Sequence, residues 1–140
     1  MSARAGAPYG PKIPGMIAKA QCVVLDCPEP AALARFYQAV LGGAVNRPGG
    51  EWVVDEDWAT LHVPGGLVLA FQRAAGYRPP RWPDPAYPQQ MHLDFTVPDL
   101  DAAHDAVQEA GATVLDTSYR GWNVYADPAG HPFCLVRAPG

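Results

Sequence analysis

The sequence repeats itself, and no other feature constrains its fold as strongly. A shift of 70 residues sets Cys22 on His92, Pro28 on Pro98, Glu29 on Asp99 and Gln38 on Gln108 without a gap. A shift of 64 sets Trp58 on Trp122, Pro64 on Pro128, Gly66 on Gly130 and Arg73 on Arg137. The six-residue change of offset falls in the second strand and its loop, between two blocks that are each in register. Chance supplies single matches of Pro on Pro in a chain with 16 prolines, but it does not supply two offsets that agree with one order of elements.

That order follows from periodicity. Gln21 to Cys27 is a short apolar run suited to a strand, and Ala31 to Leu41 places Leu33, Phe36, Tyr37, Val40 and Leu41 on one helical face. Pro30 suits the first helical turn, and Gly42-Gly43 ends the helix. A turn over residues 46–50 leads to a predicted strand at Glu51 to Val54, and Trp58 to Val63 and Leu67 to Arg73 flank Pro64-Gly65-Gly66 as a hairpin. The second copy predicts a strand at Met91 to Val97, a helix at Leu100 to Ala110, a short strand at Thr113 to Asp116 and a hairpin closed by Asp127-Pro128-Ala129-Gly130. The expected fold class is therefore α+β, as two tandem β-α-β-β-β modules forming a curled mixed sheet with helices on the convex face.

The expected organisation is an N-terminal arm over residues 1–18, a first module over 19–73, a Pro-rich strap over 74–90 and a second module over 91–138, all in one compact domain. Five prolines between Ala74 and Gln90 predict an extended, semi-rigid strap. A formal charge of −4 without any run of Lys or Arg argues against nucleic acid and anionic membranes as partners, and it slightly favours a cationic ligand. No apolar stretch reaches the length of a membrane-spanning helix, and residues 1–16 lack the continuous apolar run of a secretory signal. Three cysteines within apolar runs fit reduced thiols, so a cytoplasmic protein is expected.

Ala34-Arg35-Phe36-Tyr37 with Leu41-Gly42, and the turn from Asp127 to Phe133, resemble the glyoxalase/bleomycin-resistance (vicinal oxygen chelate) superfamily over roughly residues 20 to 138. Cys27-Pro28-Glu29-Pro30, the Pro80 to Pro85 segment, Met91-His92-Leu93-Asp94 and Phe133 to Val136 are similar to its glyoxalase-like domain branch. The resemblance implies a small-molecule cup on the concave face of the sheets and, in metal-dependent members, a divalent ion held by a first-strand and a last-strand residue of each module. Those positions fall on Cys22, on or near Ala70, on His92 and on Cys134, of which only His92 is of the usual ligand type. Cys22, His92 and Cys134 would suit zinc, but the missing carboxylates favour a protein without a metal cofactor. The resemblance also implies a homodimer.

Within the expected cup, the alternation His92, Asp94, Thr96 puts three polar groups on one strand face. Asp26 interrupts an apolar strand and either acts as a general base or caps a turn. His92, Asp26 and Asp94 are the candidate acid/base residues, and His92, Cys134 and Cys22 the candidate metal ligands. Thr96, Trp58 and Trp122, with Trp82, Arg81 and Arg78 from the strap, are candidate ligand contacts, the strap residues suited to stacking on a flat molecule or else to bracing a dimer. His62, His104 and His131 are expected at the surface. Two functions fit: a binding protein that traps a small molecule, or an isomerase, lyase or dioxygenase acting on a small oxygenated metabolite.

Overall fold

The computed structural model describes residues 15–47 and 55–139. The chain divides between Ala75 and Gly76 into two compact units, each built around one four-stranded mixed sheet and one helix.

The first unit holds β1 (Val23–Cys27), α1 (Pro30–Leu41), β2 (Ala44–Val45), β3 (Trp58–His62) and β4 (Val68–Arg73) in the sheet order β1-β4-β3-β2. The second holds β5 (Leu93–Val97), α2 (Leu100–Ala110), β6 (Thr113–Asp116), β7 (Trp122–Ala126) and β8 (Pro132–Arg137) in the order β5-β8-β7-β6. In each, the first strand runs parallel to the last and the other pairings are antiparallel.

Both repeat offsets survive at the level of single hydrogen bonds. Val23 faces Leu69 as Leu93 faces Phe133. The Val63 and Asp127 amides donate to the Leu67 and His131 carbonyls, and the Ala74 and Ala138 amides to the Cys27 and Val97 carbonyls. The strand expected at Glu51 to Val54 lies outside the described residues. Among the described residues β2 follows the helix at once, because Gly42 and Gly43 both take positive φ and turn the chain back onto β3. A Cβ on Gly43 would collide with the His62 carbonyl oxygen, so only glycine permits that return.

Each helix buries one face against its sheet. In the first unit Leu33, Ala34, Phe36 and Tyr37 are buried, and the Tyr37 ring stacks on Phe71 with centroids 5.9 Å apart. In the second, Asp99 caps α2 by accepting the Ala102 amide at 3.0 Å, and Tyr125 stacks on Phe133 at 5.5 Å. Tyr125 also meets α2 through His104 Nδ1 at 2.9 Å. These contacts define the helix-facing side of each sheet, and alternation along the strands sends the next residues to the opposite side.

The strap belongs to the second unit and is not extended throughout. The Arg81 amide donates to the Tyr87 carbonyl while Asp84 accepts the Ala86 amide, which closes residues 81–87 into a loop. An Asx turn at Asp84 outweighs the extended bias of the prolines around it. The Tyr77 hydroxyl donates to the Ala129 carbonyl at 2.9 Å, and a Cβ on Gly130 would come within 2.6 Å of Pro79, so glycine lets the strap lie directly on the β7–β8 turn.

Candidate functional site

On the second sheet, Phe95, Tyr125 and Phe133 face the helix, which leaves His92, Asp94 and Thr96 of the β5 segment, Trp122 and Val124 of β7, and Cys134 of β8 on the other face. The pairings Asp94–Cys134 and Val124–Cys134 set these side chains in one row across three strands. Here the second unit has a cavity of about 200 Å³. Trp82 and Gln89 from the strap, Tyr119 from the loop before β7, and Trp122, His92 and Cys134 contribute to its lining. Tyr119 and Trp122 stack with centroids 4.7 Å apart and planes 12° apart, and both keep about two-fifths of their surface exposed.

His92 and Cys134 of this lining form a tight cluster with the neighbouring Asp94. His92 Nε2 lies 3.3 Å from Asp94 Oδ1, and the ligating atoms of His92, Asp94 and Cys134 all fall within 4.8 Å of one another. Burial, reinforced by the Asp94 carboxylate beside it, pushes the Cys134 thiol up to about 11, so the sulfur keeps its proton at neutral pH. Such a thiol is a weak nucleophile and a weak hydrogen-bond donor until a cation displaces its proton.

The other expected site residues are placed as follows. Thr96 shares the face of His92 and Asp94 and is exposed, outside the cavity lining. Arg81 is turned away: its guanidinium lies 4.3 Å over the Tyr87 ring. Asp26, Cys22 and Trp58 belong to the first unit, where Asp26 is exposed and takes a long 3.5 Å hydrogen bond from Gln72. Trp58 is buried in β3, and Cys22 is half-buried with its thiol pushed up by burial.

The surface expectation is corrected for His62, while His104 and His131 are half-buried and hydrogen-bonded. His62 is buried and meets Thr60 Oγ1 at 3.1 Å, and His104 meets Tyr125. His131 is bound through Nδ1 to the fully buried Asp127 carboxylate at 2.7 Å and through Nε2 to Tyr77 at 3.1 Å. Each imidazole meets a polar group: His62 and His131 have partners two and four residues away, while Tyr125 for His104 and Tyr77 for His131 are distant in sequence and invisible to a local reading. Gln89 and Tyr119 were not expected at the cavity. An aromatic residue three positions before Trp122 is a signal that could have pointed to Tyr119, and none pointed to Gln89.

The first unit has a wider hollow of about 380 Å³ beside the β3–β4 turn. Glycine and proline backbone, Arg47 and the already bonded His62 form much of its wall, so it holds less chemistry than the smaller cavity.

A family model described as a glyoxalase-like domain matches residues 22–136. The chain belongs to this family. No curated protein matches it. Among solved structures it is similar to a hypothetical protein from S. aureus (TM-score 0.64, 21% identity, 89% of this chain and 100% of that one). It is also similar to a glyoxalase/bleomycin resistance protein/dioxygenase family enzyme from Burkholderia phytofirmans (0.63, 16%, 84% and 96%). A third likeness is to a fosfomycin resistance protein from Listeria monocytogenes (0.63, 13%, 89% and 96%). At such identities the likeness is one of fold.

The divalent-metal set expected by resemblance to metal-dependent members is not supplied in full by the residues present. Ala70, fully buried on β4, has no donor atom. Within the second unit alone, His92, Asp94 and Cys134 make a nitrogen, oxygen and sulfur set, which suits zinc better than a hard ion. Among the described residues no helix is long and apolar enough to cross a membrane.

Proposed function

We propose that this glyoxalase-like protein binds a small molecule in the aromatic-walled cavity of its second module. The observation that carries the reading is the lining itself: Trp82, Tyr119 and Trp122 gathered around His92 and Cys134. Concave sites of this composition, mostly apolar with a few convergent polar groups, are where small ligands lose enough water to bind. The size of the cavity suits a one-ring molecule more than a drug-sized one. Titrating tryptophan fluorescence against a library of one-ring fragments tests the reading. Saturable quenching should appear in the wild type and vanish in Trp122→Ala; binders indifferent to that substitution would place the ligand elsewhere.

A second reading is supported by the His92, Asp94 and Cys134 cluster: a zinc-assisted lyase, isomerase or dioxygenase, with His92 as ligand or acid/base and Asp94 assisting. A fosfomycin resistance protein of similar fold has been crystallised with Mn(II) and 1S,2S-dihydroxypropylphosphonic acid, but the thiol here favours a softer ion. Elemental analysis of purified protein separates the two readings: stoichiometric zinc that disappears in His92→Ala supports the enzyme. The expected assembly is a homodimer, since each four-stranded sheet ends on strands able to pair, and light scattering tests it.

A further inference from the structure

We infer that the ligand of the second-module cavity is a planar organic cation whose charged end carries N–H donors, of the aryl amidinium or aminated heteroaromatic class. The inference rests on the cavity reading above and adds the chemistry of what enters it.

Four observations converge on that class. The stacked Tyr119–Trp122 pair and Trp82 offer flat π surfaces, whose negative faces favour a flat, positively charged partner. Gln89 lines the cavity, and its Oε1 is buried without a hydrogen-bond partner. A buried acceptor left open is costly, and a turn of the Gln89 amide toward the cavity would let a ligand N–H satisfy it. The Asp94 carboxylate is outside the lining itself but stands beside two residues that form it, 3.3 Å from His92 and clustered with Cys134, where it can accept a hydrogen bond from a ligand that reaches past them.

The fourth observation concerns what is missing from the wall. No lysine or arginine is among the described lining residues, and the nearby Arg81 guanidinium rests on Tyr87. The His92 ring already has the Asp94 carboxylate 3.3 Å from its Nε2. A carboxylate or phosphonate ligand would find neutral donors in the indole, phenol and amide groups of this lining but no lysine or arginine among its described residues to offset its charge. A flat cation with donors would meet both acceptors and stack on the rings.

Three one-ring probes of matched size test this: benzamidine, benzamide and benzoate, titrated by calorimetry and by chemical-shift perturbation of the indole N–H signals. Benzamidine should bind on the order of tenfold more tightly than benzoate, the difference expected from one charge-assisted hydrogen bond. Gln89→Leu and Asp94→Asn should each weaken benzamidine by a similar factor while leaving far-UV circular dichroism unchanged, and Gln89→Glu should retain or strengthen it. Benzoate binding as tightly as benzamidine overturns the inference and leaves the cavity reading standing. If no probe binds, the inference falls; the cavity reading survives only if the wider fragment library yields a binder lost in Trp122→Ala.

Discussion

Trp58 and Trp122 occupy the same register position in the two modules, opposite Gln72 on β4 and Val136 on β8, yet Trp58 is 4% exposed and Trp122 39%. The same divergence runs through the neighbouring positions. Where the second module places His92, Asp94 and Cys134, the first has Cys22, Val24 and Ala70 at the equivalent positions. Beneath the helices the contrast recurs: Ala34, Ala59 and Leu61 form a buried apolar seam in the first module, and His104, Asn123 and Tyr125 a hydrogen-bonded one in the second. One backbone register thus supports two kinds of chemistry. Pairing geometry depends on backbone groups and glycine turns that both copies keep, while side chains on either face can diverge without disturbing the ladder.

The tryptophan pair gives the sharpest way to break this comparison. Trp58→Ala should cost about 3–5 kcal/mol in urea unfolding, as expected for a buried indole. Trp122→Ala should cost about 1 kcal/mol or less while removing ligand binding. Equal destabilisation by the two would mean that the second-module tryptophan also serves as core.

The hairpin turns differ next. The Asp127 carboxylate accepts the Ala129 and His131 amides and the His131 ring, whereas Val63 at the equivalent place has no side-chain acceptor. Asp127→Ala should cost about 2–3 kcal/mol, by the value of hydrogen bonds to a buried charge, and should loosen the strap measured by amide exchange at Tyr77. Unchanged exchange would show that Pro79 against Gly130 suffices to seat it.

The helix starts sharpen the contrast on a smaller scale. Asp99 caps α2 through its side chain, and Glu29, at the equivalent position, makes no side-chain cap. Asp99→Ala should cost about 1 kcal/mol and Glu29→Ala less than about 0.5 kcal/mol, both read from chemical denaturation. A larger loss at Glu29 would mean that its exposed ion pair with Arg73 matters more than its geometry suggests.

The smallest effect should appear in alkali. Burial raises the Tyr125 hydroxyl above 10, and the Asn123 hydrogen bond only partly opposes this. The unfolded chain then loses this proton before the folded one, so the contribution is intact below pH 10 and is lost as the pH rises through the folded value. Tyr125→Phe should flatten that fall in stability, and an unaltered slope would assign it to other groups. Leu61, at the equivalent first-module position, has nothing to titrate.

Much of this was legible in the sequence. The order of elements, both helix spans and the two offsets follow from periodicities of two and 3.6, from Pro30 at a helix start and from glycines at helix ends. The polar face of His92, Asp94 and Thr96 was legible for the same reason, because alternation along a strand is local. Gln89 and the closed loop of the strap were not, since nothing within a few residues of either announces its partner.

The sequence by itself determined that two β-α-β-β-β modules form and which strand residues share a face, since these depend on covalent geometry and short-range preference. Only the tertiary structure decided that Asp94 stands opposite Cys134, that Tyr119 and Trp82 reach the cavity beside them, and that Trp58 is buried where Trp122 is open. Strand register and burial are set by contacts between residues far apart in the chain, and such contacts exist only once the sheets have paired and packed.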